Sequence, residues 1–217
     1  AGSNDTVYSV GLCNDAVAVG ADALLMVTPY YNKTSQAGLV AHYTYVADRV
    51  DAPIILYNVP SRTGVNIKPE TYKELSKHPR IVAVKEANGD ISSVATTKQL
   101  CGDDLIIYSG NDDQIVPILS LGGMGVISVL SNILPAETHA ICARFFEGDA
   151  AGARELQLKY LPLIHALFSD VNPIPVKEAM EMLGLQTGPV RLPLVPMAAD
   201  KRAALKAELV RVGALKE

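Results

Sequence analysis

Lys85 closes the apolar run Ile81–Glu86 (IVAVKE). A lysine whose stem lies among β-branched neighbours is desolvated. Desolvation lowers the amine pKa and leaves more neutral, nucleophilic nitrogen. Such a nitrogen suits a Schiff base with a ketone. The plainer alternatives are a strand-end lysine that snorkels to solvent or one that pairs with Glu86. Tyr57 ends the preceding apolar run, Ile54–Val59 (IILYNV), with Asn58 beside it. At the same sheet edge its phenol can move a proton between hydroxyl groups; as a core aromatic it would only satisfy its own hydroxyl. The turn that follows, Pro60-Ser61-Arg62-Thr63-Gly64, carries an arginine suited to bidentate capture of a carboxylate, or one that simply faces solvent. Tyr30 and Tyr31 leave the first apolar run after Pro29 and can point different ways, or serve as packing or interface aromatics. Gly110, after Ser109, would let a small ligand approach the backbone, and is equally a turn residue.

The elements that must position these groups follow from short apolar runs bounded by turn residues: Ala23–Thr28, Ile54–Val59, Ile81–Glu86, Leu105–Gly110 and Gly125–Val129. Such runs suit strands of a parallel sheet buried on both faces. Their starts are roughly 20 to 31 residues apart, the spacing of strand-loop-helix units. Helices are expected over 5–19 with Asn4 or Asp5 as cap, over 35–49 with Ser35 as cap, and over 68–77 with Pro69 in the first turn. Further helices are expected over 90–100 and over 112–121, where Pro117 bends the chain. Residues 135–147, 150–168, 173–183 and 198–212 all read as helix with no strand between them, and Gly188–Pro196 reads as a loop broken by three prolines. The division is therefore a βα portion over 1–130 and a helical portion over 131–217. Right-handed crossovers allow two architectures, an open doubly wound sheet or part of a (β/α)8 TIM barrel, with barrel chemistry at the C-terminal ends of the strands. The glycine fingerprints of dinucleotide and P-loop sites are missing from the sequence.

Composition removes other classes. The 217 residues are 49% hydrophobic and 19% charged, with a net charge of −4, which excludes a disordered tail, a fibre or a coiled coil. The length falls short of the roughly 250 residues typical of a closed eight-fold barrel. Without a basic stripe, nucleic acid is not an expected partner; without an apolar run of about 18 residues, neither is a membrane. Cys13, Cys101 and Cys142 lack metal-ligand spacing, so no metal is expected and a reducing cytoplasm is the expected location.

Taken together and in order, VTPYYN (Val27–Asn32), LYNVPSRTG (Leu56–Gly64), VKEANGD (Val84–Asp90), SGND (Ser109–Asp112), GGMGVISV (Gly122–Val129) and NPIPVKEAM (Asn172–Met180) resemble the class I, pyruvate-dependent aldolase and lyase family. Arg62 within SRTG favours its dihydrodipicolinate branch over the sialic-acid lyases. The resemblance implies a TIM barrel with a helical C-terminal extension, no organic cofactor, and a Schiff-base lyase of lysine (diaminopimelate) biosynthesis. That lyase condenses pyruvate with L-aspartate semialdehyde to 4-hydroxy-tetrahydrodipicolinate. It implies that Lys85 carries pyruvate, that Tyr57 relays protons, and that Tyr31 enters a partner's site across a tight dimer interface. It further implies that Arg62 receives the aldehyde's carboxylate, that Ile127 contacts pyruvate through its backbone, and that Asn4 and Tyr30 are remnants of a lysine feedback site. Tyr8 stands where some members place an acid.

Gly2-Ser3-Asn4 resembles the end of the family's third strand. The expectation is thus an incomplete barrel lacking its first βα units, with the paired threonines of the second strand missing and activity impaired. Open parallel edges then call for a homo-oligomer, a dimer or a tetramer. Two other readings stay open: a catalytically inactive truncated paralogue that acts as a binding or assembly partner, and a different pyruvate-dependent aldolase.

Overall fold

The structure is a computed structural model describing residues 1–216. Its β-strands are β1 (Leu24–Val27), β2 (Ile54–Asn58), β3 (Ile81–Glu86), β4 (Ile106–Ser109) and β5 (Gly125–Val126). All neighbouring pairs are parallel and the spatial order is β1-β2-β3-β4-β5. A doubly wound sheet reverses direction at a switch point. Here each strand is laid beside its predecessor, as in an arc of a barrel, and this decides between the two architectures.

Helices fill the crossovers: α1 (Thr6–Ala18), α2 (Gln36–Ala47), α3 (Pro60–Thr63), α4 (Pro69–Leu75), α5 (Ile91–Cys101) and α6 (Ile115–Ser120). Three begin where a short polar side chain accepts an otherwise unpaired amide: Asp5 from Tyr8, Ser35 from Gly38 and Asp90 from Ser93. The single helix expected over 112–121 is instead a 3-10 turn, Asp112–Gln114, followed by α6. Pro117 falls in the first turn of α6, where its missing N–H costs nothing.

The chain divides into two compact units. The first comprises Ala1–Asn111 with Pro117–Ile127. Its core lies between the sheet and the helices: Leu24, Met26, Ile54, Leu56, Val84 and Ile107 meet Leu39 and Tyr43 of α2, Tyr72 and Leu75 of α4, and Val94 of α5. The other sheet face is only half-buried at Leu25, Val27, Ile55, Tyr57, Lys85 and Tyr108. A bulge sets which residues of β2 and β3 share a face. Ile54 pairs with Ile81 but Ile55 pairs with Ala83, so Val82 is skipped. Beyond it, Leu56 and Asn58 share the helix-facing side with Val84 and Glu86, while Tyr57 and Lys85 share the opposite side. Beside the outer edge of β1, the amino group of Ala1 donates to the Leu25 carbonyl at 3.0 Å, and Gly2 packs against the backbone of Met26 and Val27.

The second unit comprises Asp112–Val116 and the residues from Ser128 onward. It contains α7 (Pro135–Phe146), α8 (Ala150–Leu167), α9 (Ile174–Met182) and α10 (Ala199–Arg211). Its own core joins Tyr160, Leu163 and Leu167 of α8 to Ile174 and Ala179 of α9 and to Leu205 and Leu209 of α10. The strand expected over Gly125–Val129 stops at Val126. The buried Asp112 carboxylate takes the amides of Val129 (3.0 Å) and Leu130 (2.9 Å), which starts a 3-10 turn at Leu130 in place of further ladder. No described helix is long and apolar enough to cross a membrane.

Candidate active site

One register row carries the chemistry. Val27 pairs with Tyr57, Tyr57 with Lys85, Lys85 with Tyr108, and Tyr108 with Gly125. These positions lie near the C-terminal ends of their strands, on the sheet face away from the helices. Lys85 is half-buried, and its Nζ sits 4.5 Å from the centroid of the Tyr57 ring, a cation–π distance. The Tyr57 ring flanks the lysine on one side at the open face. Tyr108 flanks it on the other side and was not singled out from the sequence. Alternation is the signal that locates it, since Tyr108 precedes the buried Ser109 and therefore faces the other way.

Burial raises the Tyr57 phenol above its ordinary pKa, and the nearby Arg62 guanidinium pulls part of that rise back. The phenol thus stays protonated at neutral pH yet lies within the field of a cation. Arg62 itself is exposed on α3, the single turn Pro60–Thr63 that Gly64 closes in a left-handed conformation (φ 75°). Sequence pattern alone leaves this segment as a loop. The turn carries Arg62 away from β2 while keeping its charge close enough to act on Tyr57.

Glu86 faces the helix layer, opposite Lys85. Its carboxylate, 4% exposed, accepts from Tyr72 Oη (2.7 Å), Asn58 Nδ2 (3.0 and 3.2 Å) and the Asn88 amide (2.8 Å). Burial pushes this carboxyl up to about 6, and its hydrogen bonds hold it from rising further. Asn58 is in turn fixed by Asn66 Oδ1 (2.7 Å) and by the Ile67 amide (3.1 Å).

Gly110, read from the sequence as a place for ligand approach or as a turn residue, lies where the chain leaves β4. A Cβ there would lie 2.7 Å from Ala87 Cβ, 3.0 Å from the Glu86 carbonyl and 3.2 Å from Lys85 Cγ. The missing side chain lets the chain leaving β4 press against the exit of β3 and the lysine stem. Gly110→Ala is expected to lower stability by about 1–3 kcal/mol through overpacking. Thermal unfolding checks the loss, and the same variant displaces Lys85.

The other expected site residues lie further out. Tyr31 is 87% exposed with a positive φ of 73°, in the loop after β1, so the structure does not pack it against Lys85 or Tyr57. Tyr30, in the same loop, is 41% exposed. The loop is tied to Asn4 by Asn32 Nδ2, which donates to the Asn4 carbonyl at 2.9 Å. Asn4 and the loop that carries Tyr30 therefore belong to one surface region. The Ile127 amide is committed to the Ser109 carbonyl at 2.9 Å, so a backbone contact with a ligand there falls to its own carbonyl.

The sequence and the fold resemble those of known proteins. Residues 1–212 match the model of the dihydrodipicolinate synthetase family. The 4-hydroxy-tetrahydrodipicolinate synthase of Caldicellulosiruptor saccharolyticus is 59% identical over 212 residues, covering 98% of this chain and 72% of that protein. The crystal structure of a dihydrodipicolinate synthase from Thermotoga maritima superimposes with a TM-score of 0.97 at 42% identity, over 99% of this chain and 74% of that one. A chloride-inhibited dihydrodipicolinate synthase from Acinetobacter baumannii, solved in complex with pyruvate, superimposes with a TM-score of 0.96 at 40% identity, over 99% and 74% of the two chains. The family match over almost the whole sequence, together with relatives of this identity, means that the chain belongs to the dihydrodipicolinate synthetase family.

Proposed function

We propose that this protein is a Schiff-base lyase that condenses pyruvate with L-aspartate semialdehyde to give 4-hydroxy-tetrahydrodipicolinate. The observation that carries the reading is the Tyr57–Lys85 pair, adjacent in register with the amine 4.5 Å from the ring centroid, on a chain of this family. The five strands are read as an arc of a (β/α)8 barrel with the helical residues beyond 130 as its extension. The working protein is read as a cytoplasmic homo-oligomer in which Tyr31, exposed here, crosses into a partner's site.

The chemistry runs through the amine. Neutral Lys85 Nζ attacks the ketone carbon of pyruvate, the carbinolamine expels water, and a C=N bond replaces C=O. Loss of a methyl proton gives the enamine, whose terminal carbon attacks the aldehyde carbon of the second substrate. The second substrate's amino group then attacks the imine carbon, closing the ring and releasing Lys85. Tyr57, protonated at neutral pH, is the group placed to donate and recover protons during carbinolamine collapse and ring closure. Arg62 is assigned to the aldehyde's carboxylate, where a charge-assisted pair fixes the approach of the electrophile.

The experiment is turnover with both substrates, paired with Arg62→Ala. The variant should raise KM for aspartate semialdehyde about 10–100-fold while leaving the pyruvate adduct unchanged, the loss expected for a hydrogen-bonded charge. Equal turnover with aldehydes that lack the carboxylate would reject this substrate assignment.

A further inference from the structure

Two strands carry both the reactive pair and a second pair beneath it. Tyr57 pairs with Lys85 on the open face; one residue on, Asn58 pairs with Glu86 on the buried face. The Glu86 carboxylate is the point at which three segments meet: β2 through Asn58, α4 through Tyr72, and the turn after β3 through the Asn88 amide. Every one of these partners donates. The carboxylate form accepts from all of them; a protonated carboxyl turns one oxygen into a donor, so the Tyr72 hydroxyl must reverse its bond and accept, or a hydrogen bond from an amide is lost. Ser109, the β4 residue in register with Glu86, is buried and uncharged, and its hydroxyl donates to the Asn111 carbonyl at 2.7 Å. The titratable groups behind this carboxylate are Tyr72 and Tyr43 of α2, whose phenols burial holds protonated, the buried thiols Cys13 and Cys101, raised by burial, and His42, packed edge-on against Tyr43, whose imidazole burial lowers below its ordinary pKa. Lys85 is the adjacent charge and projects from the opposite face.

We propose that Glu86 is a positioning residue for Lys85: its buried carboxylate locks the ends of β2 and β3 together through Asn58, Tyr72 and Asn88, so that the amine is held over the Tyr57 ring. Nothing in the condensation requires a buried carboxylate here, yet burying an ionisable group without a compensating role is costly. The lock is one-sided in pH. Burial puts the carboxyl near 6, so the carboxylate and all its accepted bonds are present above that pH and the set must rearrange below it. The lysine should therefore react more slowly below pH 6 than protonation of the amine alone requires.

The proposal rests on the lyase reading, and one set of measurements separates the two. The full chain is incubated with pyruvate and cyanoborohydride between pH 5 and 8, and the rate of adduct formation at Lys85 is followed by peptide mass. The wild type should show an inflection near pH 6. Glu86→Gln should lower the rate about tenfold at pH 7.5, a positioning loss, and abolish the inflection. Tyr72→Phe keeps the buried ring and removes only the 2.7 Å bond that holds the carboxyl down. It should fold as the wild type does and move the inflection above pH 6, a shift that a purely structural role would not produce. Should Glu86→Gln fail to fold, the direction of the Tyr72→Phe shift decides alone. A wild-type adduct whose inflection stays in place in Tyr72→Phe overturns the positioning role and leaves the lyase reading intact. No adduct on the wild type overturns the lyase reading and this proposal with it.

Discussion

Lys85→Arg should abolish reductive attachment of pyruvate and lower turnover by about 10³-fold or more, because no other group then supplies the covalent step. Arginine keeps a cation and a long stem but cannot form the imine at any working pH, since its guanidinium does not deprotonate. The substitution thus separates the nucleophile from the charge. The Tyr57 ring can still face a cation, so folding and the sheet register should persist. If Lys85 were merely a strand-end lysine reaching for solvent, arginine would serve equally well and activity would not change. Circular dichroism alongside the adduct mass distinguishes lost chemistry from lost fold.

Tyr57→Phe carries the second large effect. The ring remains to flank the lysine stem, and only the hydroxyl is removed. Turnover should fall about 10²-fold, within the range for loss of a positioned acid–base group. The pyruvate adduct should still form, more slowly. The sign of the phenol's shift matters here. Burial raises it and Arg62 partly offsets that, so at neutral pH the hydroxyl is a donor first and a base only after it has given its proton. Arg62→Ala should therefore raise the phenol further, and a pH profile of the Arg62 variant would show this as a displaced alkaline limb. Had Tyr57 served only to fill the core, Phe would be nearly silent in kcat.

Much of this geometry was legible in the residues, for local reasons. The run IVAVKE became β3 without change of bounds, because β-branched residues bounded by turns leave few alternatives. Asp5, Ser35 and Asp90 cap their helices because a short side-chain acceptor in extended backbone reaches the amide three residues on. What was not legible depends on partners distant in sequence. The extent of β5 is set by Asp112, whose carboxylate captures the amides of Val129 and Leu130. The face on which Lys85 emerges is set by the bulge between Ile54 and Ile55, which skips Val82. No periodicity within either strand reveals that skip.

The same limit explains the site. Lys85, Tyr57 and Arg62 were named from type and position, and the structure brings their charges and rings together. Glu86 was considered only as a chain neighbour or ion-pair partner of Lys85. Its partners Asn58, Tyr72 and Asn88 come from β2, α4 and a turn, so its burial follows only once the strands pair. Gly110 was read as a place for ligand approach or as a turn residue; that a Cβ there would press on Ala87, Glu86 and the Lys85 stem follows only once β3 and β4 pair.

The most direct measurement is mass mapping of the full chain after incubation with pyruvate and cyanoborohydride. One pyruvate-derived group should be added per chain, reduced to a secondary amine on Lys85 and absent in Lys85→Arg. A folded chain that carries no adduct, or one whose adduct maps to another lysine, would contradict the assignment of Lys85.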